Sequence, residues 1–144
     1  MRPRKCAVRC VAALALTFVA CSTPTSPSSD DILAHRARWA SHHLSDYVYT
    51  YEFSAFNAFA DRAIRVEVHG DTVRSAVVVS TGQSLDASFV PTIDQLFDQA
   101  LANAGHSLRA ITFDRALAYP AHMAFAGPPD ALSDVQASAL QALP

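Results

Sequence analysis

Alternation of apolar and polar positions is sharpest at residues 47–53, where Tyr47, Tyr49, Tyr51 and Phe53 interleave with Val48, Thr50 and Glu52. A period of two with one aromatic side predicts a half-buried strand. The residues that follow, S-A-F-N-A-F-A-D, break the alternation and read as a loop. Two further alternating runs meet at Gly70-Asp71, a glycine-first pair that suits the primed turns of two-residue hairpins. That register sets Val68 opposite Val73, Val66 opposite Ser75 and Ile64 opposite Val77. On the other face it sets Glu67 opposite Arg74, a favourable cross-strand charge pair.

Helical spacing appears twice. Ile32, Leu33, Trp39, Ala40 and Leu44 recur at partly helical intervals, which predicts a helix over 30–44 capped by Asp30 or Asp31. Ile93, Leu96, Phe97, Ala100, Leu101 and Ala104 form a cleaner stripe. Thr92 and Gln95 supply a capping-box spacing at its start, and Gly105 a left-handed stop at its end. Strands are expected over 108–114, 121–126 and about 135–143, with turns at Tyr119-Pro120 and at Gly127-Pro128-Pro129-Asp130. The order αβββαβββ predicts an α+β fold. It is a single domain, 30–144, with an antiparallel sheet of about five or six strands and two helices packed on one face. The halves repeat one element order, as an old duplication would, without sequence similarity between them.

The first 20 residues do not belong to that pattern. Arg2, Arg4, Lys5 and Arg9 precede an apolar run of eleven residues from Cys10 to Ala20, the layout of an export signal. The run is well short of the ~20 residues that span a bilayer. An ordinary signal peptidase would meet bulky Phe18 three positions before the cut, where it wants a small residue. Phe18-Val19-Ala20-Cys21 instead fits lipoprotein processing. Residues 1–20 are therefore expected to be a lipoprotein signal peptide. Residues 21–29 would be a lipidated Cys21 and a Ser/Thr/Pro tether, which spans roughly 25 Å when extended. Cys6 and Cys10 leave with the signal, so Cys21 remains as the odd cysteine of an exported chain, and lipidation explains it. The expected location is outside the cytoplasm, held by acyl chains such as palmitate in the cell membrane or the outer membrane. The domain would face the periplasm or the exterior, and in a cell with two membranes Ser22 after the lipidated cysteine would favour the outer one.

Cleavage changes the charge. It removes four of the eleven basic residues and none of the 13 acidic ones, leaving seven arginines and a formal charge of −6. An acidic domain without a basic stripe excludes nucleic acid as the expected partner.

Candidate chemistry is sparse. His35, His42 and His43 fall on the expected first helix, with His35 and His42 about 10 Å apart along its axis. One ion cannot bridge that gap, so no metal or other cofactor is expected. Asp94 and Asp98 share a helix face, where the helix dipole accounts for them. No nucleophile-elbow, phosphate-loop or metal-binding motif occurs. Phe53 continues the aromatic face into the core. Phe56 and Phe59, in the loop after the first strand, are either buried beneath the hairpin or form an apolar patch. In the second case they are candidate partner-binding residues.

Four segments carry a family likeness: R-W-A-S-H-H-L-S-D-Y-V-Y-T-Y-E-F, the V-E-V-H-G-D-T-V-R-S-A hairpin, T-I-D-Q-L-F-D and F-D-R-A-L-A-Y-P. Over about residues 38–143 they resemble a bacterial family, often of lipoproteins or secreted proteins, catalogued as domain of unknown function 6174. Members tend to carry a close cysteine pair where this chain has Phe56-Asn57-Ala58-Phe59. They also tend to have Asp-Pro and Gly-Tyr-Pro where it has Asp114-Arg115 and Ala118-Tyr119-Pro120. Lacking those cysteines, this chain has neither a disulfide nor a redox role there. The resemblance brings no catalytic residues with it.

The expected function is a non-enzymatic envelope binding or structural module. It would be anchored through Cys21 and would engage an envelope protein or cell-wall component on its sheet face or at Phe56 and Phe59. The alternatives are a small secreted or envelope hydrolase whose site no motif marks, and an inhibitor-like binding protein.

Overall fold

The computed structural model describes residues 27–55, 60–127 and 133–144. Cys21, Phe56 and Phe59 lie outside them, as does most of the Gly127-Pro128-Pro129-Asp130 turn. The element order is α1 (Ser29–Ala40), β1 (Tyr47–Ser54), β2 (Ile64–His69), β3 (Thr72–Val78), a 3-10 turn (Ala87–Phe89), α2 (Ile93–Asn103), β4 (Leu108–Phe113), β5 (Pro120–Phe125) and β6 (Asp134–Ala142). The strands form one six-stranded antiparallel sheet in the order β3-β2-β1-β6-β5-β4. The expected α+β architecture is the observed one. The halves differ in placement, however: β1 is central and β4 is an edge.

Both helices lie on the aromatic side of β1. Trp39 of α1 meets Tyr47 edge-on at 5.6 Å. The Tyr47 hydroxyl accepts the Ile93 N–H at 3.0 Å, and the Tyr49 hydroxyl donates to the Pro91 carbonyl. Together with the Thr92/Gln95 capping box, these bonds occupy the start of α2 and pin it to the sheet. Phe113 of β4 stacks on His35 of α1 at 3.8 Å and on Phe97 of α2 at 6.2 Å. The core between helices and sheet contains Ile32, Trp39, Tyr47, Tyr49, Tyr51, Phe97 and Met123, with Phe53 partly buried against it. Burial pushes the Tyr47 and Tyr51 phenols up to about 12, and Tyr49 well above its ordinary value.

The structure corrects four readings. First, α1 begins at Ser29, inside the stretch read as tether, because the Ser28 hydroxyl accepts the Asp31 N–H at 3.2 Å and so acts as the cap in place of Asp30 or Asp31. Second, α1 ends at Ala40, not Leu44. The chain turns through Ser41 and His42 to a left-handed His43 (φ 52), so only His35 of the three histidines is helical, and Leu44 packs on the core from a loop.

Third, the Gly70-Asp71 hairpin holds a β-bulge. Both turn residues have positive φ (53 and 58), as a type I′ turn requires. The pairing then shifts between Val68↔Val73 and Glu67↔Ser75, which leaves Arg74 as the extra residue. Ala76 and Val78, not Ser75 and Val77, consequently point into the core. Fourth, the same shift removes the expected Glu67–Arg74 pair. Glu67 meets Arg65 at 3.7 Å and His69 at 2.8 Å instead.

Candidate functional site

With both helices on the Tyr47–Tyr49–Tyr51 side, the alternate residues of every strand form a second face that carries no helix. Strand register assembles it. Glu67, Val48 and Gln141 are successive partners across β2, β1 and β6. Arg65, Thr50 and Ser138 make the next row, and Glu52, Gln136 and His122 another across β1, β6 and β5. The surface is polar and charged, with few large apolar groups.

Two histidine–carboxylate groups stand on this face, about 20 Å apart along β1 at ~3.3 Å per residue. At the first, period two along β2 lines up Arg65, Glu67 and His69, and Asp46 lies across from His69 just before β1. His69 Nδ1 is 2.9 Å from Asp46 Oδ1, and Nε2 is 2.8 Å from Glu67 Oε1. The Ser45 hydroxyl donates to Asp46 Oδ2 at 2.5 Å. Bonds from Glu67 and Asp46 raise the His69 pKa, while the Ser45 and His69 bonds lower that of Asp46. At the second, His122 Nε2 is 3.0 Å from Asp134 Oδ1. Beside it a notch of ≈ 130 Å³ is lined by Glu52, Phe53, Ser54, Asp61, Asp134 and Gln136, with the Ser54 hydroxyl on Asp61 at 2.5 Å.

Both groups are histidine rings hydrogen-bonded to carboxylates, two of them at His69 and one at His122. The Ser45 and Ser54 hydroxyls each donate to a carboxylate, Asp46 and Asp61 respectively. Among the described residues no group of three or more histidine, cysteine or acidic side chains is arranged to hold a metal ion.

Asp94 and Asp98 do share a face of α2, and the structure supplies a partner the sequence reading did not name. Arg36 of α1 reaches Asp98 at 2.8 Å and Asp94 at 3.7 Å, and Trp39 Nε1 donates to Asp94 Oδ2 at 3.3 Å. They form a clasp between the helices. The sequence reading also passed over His69 and His122. The signal for His69 was present in the strand period, which places Glu67 and His69 on one face. The signal for Asp46 and Asp134 was not, since it depends on which strands pair.

Residues 31–136 match the model of a family described as a family of unknown function, DUF6174. The chain belongs to that family. The DUF6174 match runs from α1 into β6 and takes in both histidine groups of the open face. No curated protein and no solved structure matches this DUF6174 chain. Among the described residues no helix is long and apolar enough to cross a membrane.

Proposed function

We propose that the protein is a non-enzymatic envelope module, cut before Cys21 and tethered there by lipid, that presents the helix-free face of its sheet to an envelope protein or cell-wall component. The observation that carries the binding reading is the face itself. A domain with a filled core on one side leaves six strands with mostly charged and polar side chains on the other. The tether reading is supported by the signal-like N-terminus, by Phe18-Val19-Ala20-Cys21 and by the polar residues leading to Ser28.

The two halves of the proposal are tested separately. Labelled fatty acid should enter the wild type and not Cys21→Ser, with membrane association lost in the same variant; an unlabelled, soluble wild type would overturn the tether. Crosslinkers on the open face should capture a partner in intact cells, and equal capture from the helix side would overturn the surface.

A further inference from the structure

We infer that His69 is a proton-operated clamp on the open face: as the imidazolium it holds the Asp46 and Glu67 carboxylates together, and on losing its proton it releases Glu67. The inference rests on the proposed binding face for its consequence, but not for its mechanism.

The geometry favours the imidazolium of His69. Ionised carboxylates only accept hydrogen bonds, and both ring nitrogens of His69 face one, at 2.9 and 2.8 Å. Both nitrogens must then carry hydrogen, which only the imidazolium does. His122, with one nitrogen on one carboxylate, is under no such demand. The charged groups acting on the His69 ring are Glu67 and Asp46. Arg65 acts through Glu67. The cross-strand partner on β3, Thr72, is uncharged, and Arg74 beyond it is exposed.

Deprotonation leaves one donor and one lone pair on the ring, and the lone pair repels whichever carboxylate it faces. The two carboxylates are not equally held. Asp46 keeps the Ser45 hydroxyl at 2.5 Å and a backbone bond at Gly70, whereas Glu67, among the described residues, keeps Arg65 at 3.7 Å. The surviving hydrogen therefore stays on Nδ1 toward Asp46, and Glu67 is freed toward Val48 and Arg65 at the centre of the face. The ordinary histidine midpoint is about 6.5, and both contacts raise it. The clamp's contribution to stability is thus complete below the unfolded-state midpoint and is lost as pH rises through the folded one. A domain outside the cytoplasmic membrane meets the pH of its surroundings, so a partner that pairs with Glu67 would bind in a pH-dependent way.

The test is an NMR titration of the histidine ring signals in the purified chain, with no partner present, for the wild type, Asp46→Asn, Glu67→Gln and His69→Gln. The wild-type ring should titrate above the ordinary histidine midpoint and lower in each carboxylate variant. The Glu67 side-chain signals and the Val48, Arg65 and Ser75 amides should follow the same midpoint and stay silent over that range in His69→Gln. A wild-type midpoint at or below that of an ordinary histidine, or a Glu67 signal indifferent to it, would overturn the clamp. Because no partner enters, failure here leaves the binding proposal standing, and loss of crosslinking leaves the clamp standing.

Discussion

Replacing Ala139 by glycine should stabilise the protein, although it removes a side chain from the middle of a strand. In β6 the pairing with β1 jumps from Val48↔Gln141 to Thr50↔Ser138, so Ala139 and Leu140 together face Tyr49. Ala139 takes the left-handed conformation there, at φ 53, the place in such a bulge that glycine usually fills. An alanine in that region costs roughly 1–2 kcal/mol. Its methyl is exposed, so little burial is lost. Glycine's greater freedom in the unfolded chain takes back about 0.4–1 kcal/mol, leaving a net gain of roughly 0.5 kcal/mol. With a urea dependence of about 1.5 kcal/mol per molar, the unfolding midpoint should rise by about 0.3 M. The neighbouring substitution Ser138→Gly is the control. Its backbone is ordinary strand, so the same glycine should cost about 0.5–1 kcal/mol. The two variants should therefore straddle the wild type. If Ala139→Gly lowered the midpoint as Ser138→Gly does, the reasoning from backbone strain would be refuted.

Other expectations follow from the same contacts. Tyr47→Phe strips the buried Ile93 N–H of its partner and should cost about 1–3 kcal/mol in urea unfolding. Arg36→Ala opens a partly exposed clasp to Asp94 and Asp98; it should cost only about 0.5 kcal/mol, less in high salt, as a melting comparison would show. With Tyr47 and Tyr51 raised to about 12 and Tyr49 raised well above its ordinary value by burial, their tyrosinate absorbance should not rise near pH 10 in the folded protein. Since the raised pKa favours the neutral folded form, stability present below the unfolded midpoint of about 10 should fall as pH climbs toward 12.

What the sequence revealed and what it hid divide along one physical line. Signals written in neighbouring residues were legible: the alternation at Tyr47–Phe53, the Gly70-Asp71 turn and the Thr92/Gln95 cap each act over a few positions. The bulge at Arg74 was not, because an inserted residue leaves the composition of a strand unchanged while moving Ala76 and Val78 into the core. Positive φ at Ala118 (64) and Ala139 (53) was equally hidden, since alanine does not advertise it. Only the resemblance, with glycine usual where Ala118 stands, pointed that way. The site suffered most. Asp46 meets His69 across 23 residues and Asp134 meets His122 across 12, so both groups exist only once strands pair. The end of α1 at Ala40 likewise depends on the chain having to turn into β1, which the spacing of apolar residues does not express.

The central claim, that the helix-free face is the binding surface, is tested most directly by photo-crosslinkers placed one at a time in intact cells. Thr50, Gln136 and Ser138 sample the open face, and Leu33, Ala37 and Gln99 sample the helices. A crosslinked envelope protein or cell-wall fragment obtained from the first three positions and not from the others is the predicted result. Capture from the helix positions alone, or from all six alike, would contradict it.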